Sequence, residues 1–186
     1  MRPLTATLLV AASARAVRDG AAETIDARLR ARVVAFRTPR RDAVVRVATD
    51  LGSLYGVGVV AGTLALVGRP RLARRVGLAG ATAWTLAQAA KPLLPRDRPY
   101  QADGAERIVV EPAGTSWPSG HSAVAAAMAA TLGEGRGRLT RALLGTLAAG
   151  VGASRVYVGV HHPSDVVAGL GIGSLAATLL RRVSRR

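Results

Sequence analysis

The chain contains no cysteine, which excludes disulfide frameworks, zinc knuckles and cysteine nucleophiles and leaves its redox compartment open. Aromatic residues make up only 3% of its 186 residues, too few for the stacking platforms that single-stranded nucleic acid binders need. Nor is there a basic recognition helix, an RNP-like strand or a zinc finger. No nucleic-acid partner is therefore expected, although 26 Lys and Arg oppose 11 Asp and Glu for a net charge of +15. Lysine itself is almost missing: Lys91 is the only one, and every other strong base is arginine. Charged residues amount to 20% against 49% hydrophobic ones, which excludes a disordered polyelectrolyte. The length fits one domain with an appendage. We divide it into a basic N-terminal segment, residues 1–50, and a core, residues 51–186.

What is present is a series of apolar runs separated by arginines. Leu51 to Gly68 is 18 residues without a formal charge, and Val76 to Ala90, Ala142 to Ser154 and Val166 to Leu180 add 15, 13 and 15 more. Ala123 to Leu132 is a fifth. A membrane-spanning helix needs about 20 apolar residues, with about 17 as the lower end. Only the first run meets that directly; the others require arginine stems to snorkel or polar residues to be buried at their ends. The connectors Arg69–Arg75 and Arg136–Arg141 and the tail Arg181–Arg186 carry four, three and four arginines. With the runs as helices, these three fall on one side, which the positive-inside rule makes cytoplasmic. Lys91–Gly120 and Arg155–Asp165 then face outward together. The expected fold is an all-α helical bundle in the membrane, with about four to six apolar helices and its chemistry-bearing loops on the extracytoplasmic face.

In the N-terminal segment, Met1–Ala14 has one Arg, a short apolar stretch and an Ala-x-Ala ending, like a signal peptide. An interfacial or half-spanning first helix is the preferred reading. Ile25, Leu29, Val33 and Phe36 recur at helical spacing among arginines, an amphipathic helix for a membrane surface or for packing on the bundle. Thr38-Pro39 reads as an N-cap and first helical position.

Three clusters interrupt the apolar runs: Lys91 to Pro99, Ser116 to His121, and Ser154 to Asp165. They contain the lone lysine and all three histidines, His121, His161 and His162. Ser119 is placed to cap the helix after it, whose free N–H groups, with Gly120 leaving the backbone open, form an anion site. Asp165 follows His161 by four residues, so one helical turn brings its carboxylate to the imidazole. Lys91, Arg98 and Arg155 supply cations, and guanidiniums grip phosphoryl oxygens in pairs. Cations, anion-binding helix start and His–Asp pair together point to phosphoryl transfer by positioning and electrostatics; which histidine attacks is open at this level. Asp97, Asp103, Glu106 and Glu111 lack metal-ligand spacing and read as a solvated loop; no metal or cofactor is expected. Trp117 reads as an interfacial aromatic or a pocket wall, and His162 as a substrate contact or a plain neighbour of the helix start.

The clusters resemble the signature of the type 2 phosphatidic acid phosphatase (PAP2) superfamily, which is related to vanadium haloperoxidases. That signature is Lys, six residues, Arg-Pro; Pro-Ser-Gly-His; and Ser-Arg, five residues, His, three residues, Asp. Lys91, Arg98 and Pro99, Pro118 to His121, and Ser154, Arg155, His161 and Asp165 match it at eleven positions in order. The resemblance implies that His161 is a nucleophile forming a phosphohistidine, oriented by Asp165. It makes His121 the general acid, and Lys91, Arg98, Ser119, Gly120 and Arg155 the phosphate-binding groups. His162 stands where the family more often carries an aromatic such as Tyr. The implied activity is metal-independent hydrolysis of a lipid phosphate or diphosphate, of the polyprenyl, phosphatidate or phosphatidylglycerol phosphate class. The alternatives are a phosphotransferase or vanadate-dependent haloperoxidase on the same scaffold, or a non-catalytic basic membrane-associated protein.

Overall fold

Residues 1–183, which this computed structural model describes, form nine α-helices joined by loops and two 3-10 turns, with no strand among them. They are α1 (Pro3–Arg18), α2 (Glu23–Val34), α3 (Pro39–Ala48), α4 (Leu54–Leu66), α5 (Pro70–Ala90), α6 (Pro99–Ala102), α7 (Gly120–Leu132), α8 (Arg138–Tyr157) and α9 (Pro163–Val183). Five of these begin on a proline, whose fixed φ suits a first helical position where no N–H is needed. Thr38 caps α3 as expected, its hydroxyl accepting from Arg41 N at 3.3 Å.

At the centre stands α7, buried on nearly every side and packed on α5, α8 and α9. Its alanines and those of α5 bring backbones close: Ala79, Ala83 and Ala87 recur every four residues along one face of α5 and meet Ala123, Ala127, Ile172 and Ala176. On α9, a Cβ at Gly169 would run into Ser119 O and one at Gly173 into Ala123 O. This small-xxx-small contact holds helices where lipid, as apolar as any side chain, offers no drive to associate.

The apolar runs and the helices do not coincide, and α9 alone among the described helices is both long and apolar enough to cross a membrane. The 18 residues from Leu51 to Gly68 are not one span. A 3-10 turn covers Thr49–Gly52, and Ser53, extended at φ −89° and ψ 170°, caps α4 by accepting from Gly56 N at 3.2 Å. The chain bends there by 72°, and counts as a second span only if both limbs are taken together. Conversely, α5 and α8 run to 21 and 20 residues, about 30 Å at 1.5 Å per residue. They do so by continuing into Arg71, Arg74 and Arg75 and into Arg138 and Arg141. Hydropathy stops at those arginines; the backbone does not.

The basic connectors do meet at one end. Arg2, Arg75, Arg141 and Arg181 line a single cavity of about 840 Å³ there, and Arg75 pairs with Glu134. Of the basic tail, Arg185 and Arg186 lie outside the described residues. Met1–Ala14 forms most of α1, which seats Ala6 and Val10 against Gly171 of α9.

The arginines of α2 and of the α2–α3 link lie at the opposite end, where Arg30 pairs with Asp103 and Arg37 with Glu106. These acids offset part of a charge that the positive-inside rule would place elsewhere. Within α2 the apolar stripe points outward, with Ile25, Leu29 and the following Phe36 exposed, while the one buried residue of the helix is Asp26.

Candidate active site

All three sequence clusters converge at the end of the bundle opposite the arginine-lined cavity. Short backbone bonds knit them: Ser116 N donates to Arg96 O at 2.8 Å, and Ser119 N to Asp165 O at 3.1 Å. Gly159, at φ +82°, makes the reverse turn before His161, and a Cβ there would strike Glu106 O. Only glycine meets both demands.

His161 and Asp165 are both buried, with Nδ1 of the ring 3.6 Å from Oδ2 of the carboxylate. That is long for a hydrogen bond, and Nδ1 makes no other among the described residues. The carboxylate is held from three other directions: Ser116 Oγ donates to Oδ2 at 2.6 Å, His162 N to Oδ2 at 2.8 Å, and Arg96 Nη1 to Oδ1 at 2.8 Å. With Nδ1 toward Asp165, Nε2 is the nitrogen that faces the site, 3.5 Å from Arg98 Nη1. Burial pushes the His161 pKa down to about 4, against the pull of Asp165, so the ring is neutral near pH 7.

The three expected cations differ in what they do. Lys91 is buried, its ammonium donating to Thr115 O, and burial with the neighbouring Arg98 charge lowers its pKa to about 8. Arg98 is buried and engaged throughout. Its guanidinium donates to Gly114 O, Val160 O, Ala113 O and Thr115 O at 2.8–3.3 Å, besides facing His161. It therefore anchors the 113–115 loop over His161 and offers fewer free donors than the sequence suggests. In Arg155, by contrast, Nη1 donates to Thr49 Oγ1 at 2.8 Å while the buried Nε has no partner among the described residues. A buried guanidinium N–H left unmatched costs free energy, and an anion's oxygen satisfies it.

On α7, Ser119 is the N-cap, its hydroxyl accepting from Ser122 N at 3.4 Å and from Ser122 Oγ at 2.9 Å, which leaves its own hydrogen to donate. The space that Gly120 leaves is taken by Trp84, whose ring a Cβ would meet at 3.1 Å. Trp84 also packs edge-on against His121, ring centroids 6.0 Å apart. His121 lies within electrostatic reach of Arg155, His161 and Arg98. Trp117 is neither interfacial nor a free pocket wall: it is buried, its indole N–H donating to Ser13 Oγ at 3.1 Å. The ring of His162 meets Asp97 O at 3.2 Å. Asp97, Asp103, Glu106 and Glu111 are exposed, and among the described residues no three His, Asp or Glu side chains converge as a metal site would require.

The model of the PAP2 superfamily matches residues 72–186. The chain belongs to the PAP2 superfamily. The first transmembrane PAP2-type phosphatidylglycerolphosphate phosphatase, from Bacillus subtilis, shares its fold at a TM-score of 0.80 and 25% identity, over 99% of this chain and 96% of that one. LpxE of Aquifex aeolicus does so at 0.73 and 26%, over 83% and 93%. No curated protein sequence matches significantly.

Around this PAP2 site stand residues that the sequence reading did not single out. Thr49 and Asp26 precede the family match altogether, and Arg96, Ser116 and Ser164 lie within the clusters. Arg96 was visible as a third base between Lys91 and Pro99. Nothing local marks Asp26 or Thr49, because only the folded chain brings them to the site.

Proposed function

We propose that this PAP2 phosphatase hydrolyses a lipid phosphate or diphosphate through a phosphohistidine at His161. The observation that carries the reading is the buried His161–Asp165 pair, whose second ring nitrogen lies beside Arg98, with the unmatched Arg155 Nε–H nearby in the same cluster. His161 Nε2 attacks phosphorus and its bond to the leaving oxygen breaks, with His121 giving that oxygen a proton. Asp165 holds Nδ1–H, so the ring keeps the tautomer that presents a lone pair. Water then attacks phosphorus, His121 takes its proton, and the P–N bond breaks to release phosphate. Lys91, Arg155, the Ser119 hydroxyl and the Gly120 N–H hold the phosphoryl oxygens, and Arg98 stands beside the nitrogen that accepts the group.

The lipid class and the membrane setting draw support from the two structural relatives, one of them a phosphatidylglycerolphosphate phosphatase. The proposed topology is multi-pass, with the site on the extracytoplasmic face. The arginine-lined cavity at the other end supports it.

The test is phosphate release in detergent from polyprenyl diphosphate, phosphatidate and phosphatidylglycerol phosphate, with and without EDTA, for the parent and His161→Ala. Release that survives EDTA and disappears in the variant is expected. Release from no lipid, or equal release by the variant, would overturn the reading.

A further inference from the structure

Asp26 is the one buried residue of α2, a helix that carries none of the three clusters and lies outside the family match. Every oxygen of its carboxylate is used. Oδ1 accepts from Ser164 N at 2.9 Å, and Oδ2 accepts from Ser164 Oγ at 2.6 Å and from Arg96 Nη2 at 2.8 Å. Arg96 in turn bridges two carboxylates, its Nη1 reaching Asp165 Oδ1 at 2.8 Å. That same nitrogen donates to Ser164 Oγ at 2.7 Å. Asp26, Arg96 and Asp165 thus form a line that ends on the group orienting His161.

We propose that Asp26 is a positioning residue for the PAP2 histidine site, acting through Arg96 on Asp165; the proposal rests on His161 as the reacting group. While Asp26 holds Nη2, the Arg96 guanidinium presents one nitrogen to Asp165 and touches only Oδ1. Oδ2 stays turned to Ser116, the His162 N–H and the His161 ring. A guanidinium released from Asp26 is free to set both nitrogens on Asp165 in the bidentate geometry it favours. That takes Oδ2 from His161, and the imidazole loses its orientation. Buried charges also leave Arg96 little choice, since losing one partner of such a pair forces the other to find a new one.

The experiment compares Asp26→Asn, Asp26→Glu and Asp103→Asn with the parent, in one detergent, by steady-state phosphate release and by nitrogen NMR of ¹⁵N-histidine protein. Only three histidines are present, and His→Gln variants assign them. Asp103→Asn weakens the other tie of α2, to Arg30, without touching the line. Asp26→Asn is expected to lower kcat about tenfold or more, the scale on which outer partners of a site act, with KM within about twofold. It moves the ring nitrogens of His161 and leaves those of His121 in place. Asp26→Glu restores part of kcat, and Asp103→Asn keeps it.

Parent kcat and parent His161 shifts in a folded Asp26→Asn protein would overturn the proposal, as would an equal loss in Asp103→Asn, which would reduce α2 to a clamp. Should Asp26→Asn fail to fold, Asp26→Glu decides: a partial loss of kcat with the His161 signal displaced in step is expected, and a loss of kcat with an unmoved His161 signal would overturn the proposal. A parent that releases phosphate from no lipid removes the catalytic reading only; the His161 shift still decides whether Asp26 governs that ring.

Discussion

Thr49 Oγ1 accepts a hydrogen bond from Arg155 Nη1 at 2.8 Å, and both side chains are buried. The same oxygen meets Ser154 Oγ at 2.8 Å, so the 3-10 turn ahead of α4 is locked to the last turn of α8. A close fit beneath helps, since a Cβ at Gly52 would lie 2.7 Å from His121 O. This turn thereby sets the direction of the guanidinium that leaves Nε unmatched. Thr49→Val keeps the shape and deletes the acceptor. The expected result is a rise in KM of about tenfold, the equivalent of about 1.4 kcal/mol, with a smaller fall in kcat, since the proposed mechanism has Arg155 hold the phosphoryl group before and during the reaction. Steady-state phosphate release against lipid concentration checks it. An unchanged KM would mean that Arg155 is aimed by its other neighbours.

Alkaline pH should switch the site off through Lys91. Burial and the Arg98 charge lower its pKa to about 8, so the ammonium is present below that value and is lost as pH rises through it. Activity at low substrate is expected to fall along one proton's titration near pH 8. His161, pushed down to about 4, stays neutral over that range and adds nothing to this limb. Lys91→Arg remains charged and is expected to abolish the limb, at whatever level of activity the larger head allows. A pH profile of kcat/KM from 6 to 10 for both proteins, the range bracketing the Lys91 value, distinguishes the two outcomes; a limb that persists in the variant belongs to another group.

The clusters were legible because their chemistry depends on local spacing. One helical turn separates His161 from Asp165, and Ser119 sits one residue ahead of a helix that needs a cap. The all-helical bundle and its basic end were legible too, from apolar runs between arginines. Span lengths were not, for two opposite reasons. Ser53 breaks an uncharged run without any loss of hydropathy, while α5 and α8 continue as helix through arginines that end the apolar signal. Trp117 misled because its bond to Ser13 joins residues 104 positions apart. Asp26 and Thr49 escaped for the same reason: a lone carboxylate among arginines, and a threonine before an apolar run, acquire meaning only from the residues that folding brings against them.

The contact of α7 with α9 sets the distance between the second and third clusters, because Ser119 and Asp165 stand at the starts of these two helices. Gly173→Ala would push a methyl group into Ala123 O, a backbone atom that cannot turn aside. The helices must part or shift, and overpacking of this kind costs about 1–3 kcal/mol. A methyl group at Gly58, within α4, would meet nothing within 4 Å, so Gly58→Ala gains about 0.5–1 kcal/mol of helix propensity without a clash. Thermal unfolding in one detergent is expected to place Gly173→Ala below the parent and Gly58→Ala level with or above it. Activity of the surviving Gly173→Ala protein, measured well below its transition, should fall as well, since displacing α9 carries Asp165 away from the Ser119 turn. Equal melting temperatures for the two variants would show that the α7–α9 seam is loose enough to absorb a methyl group.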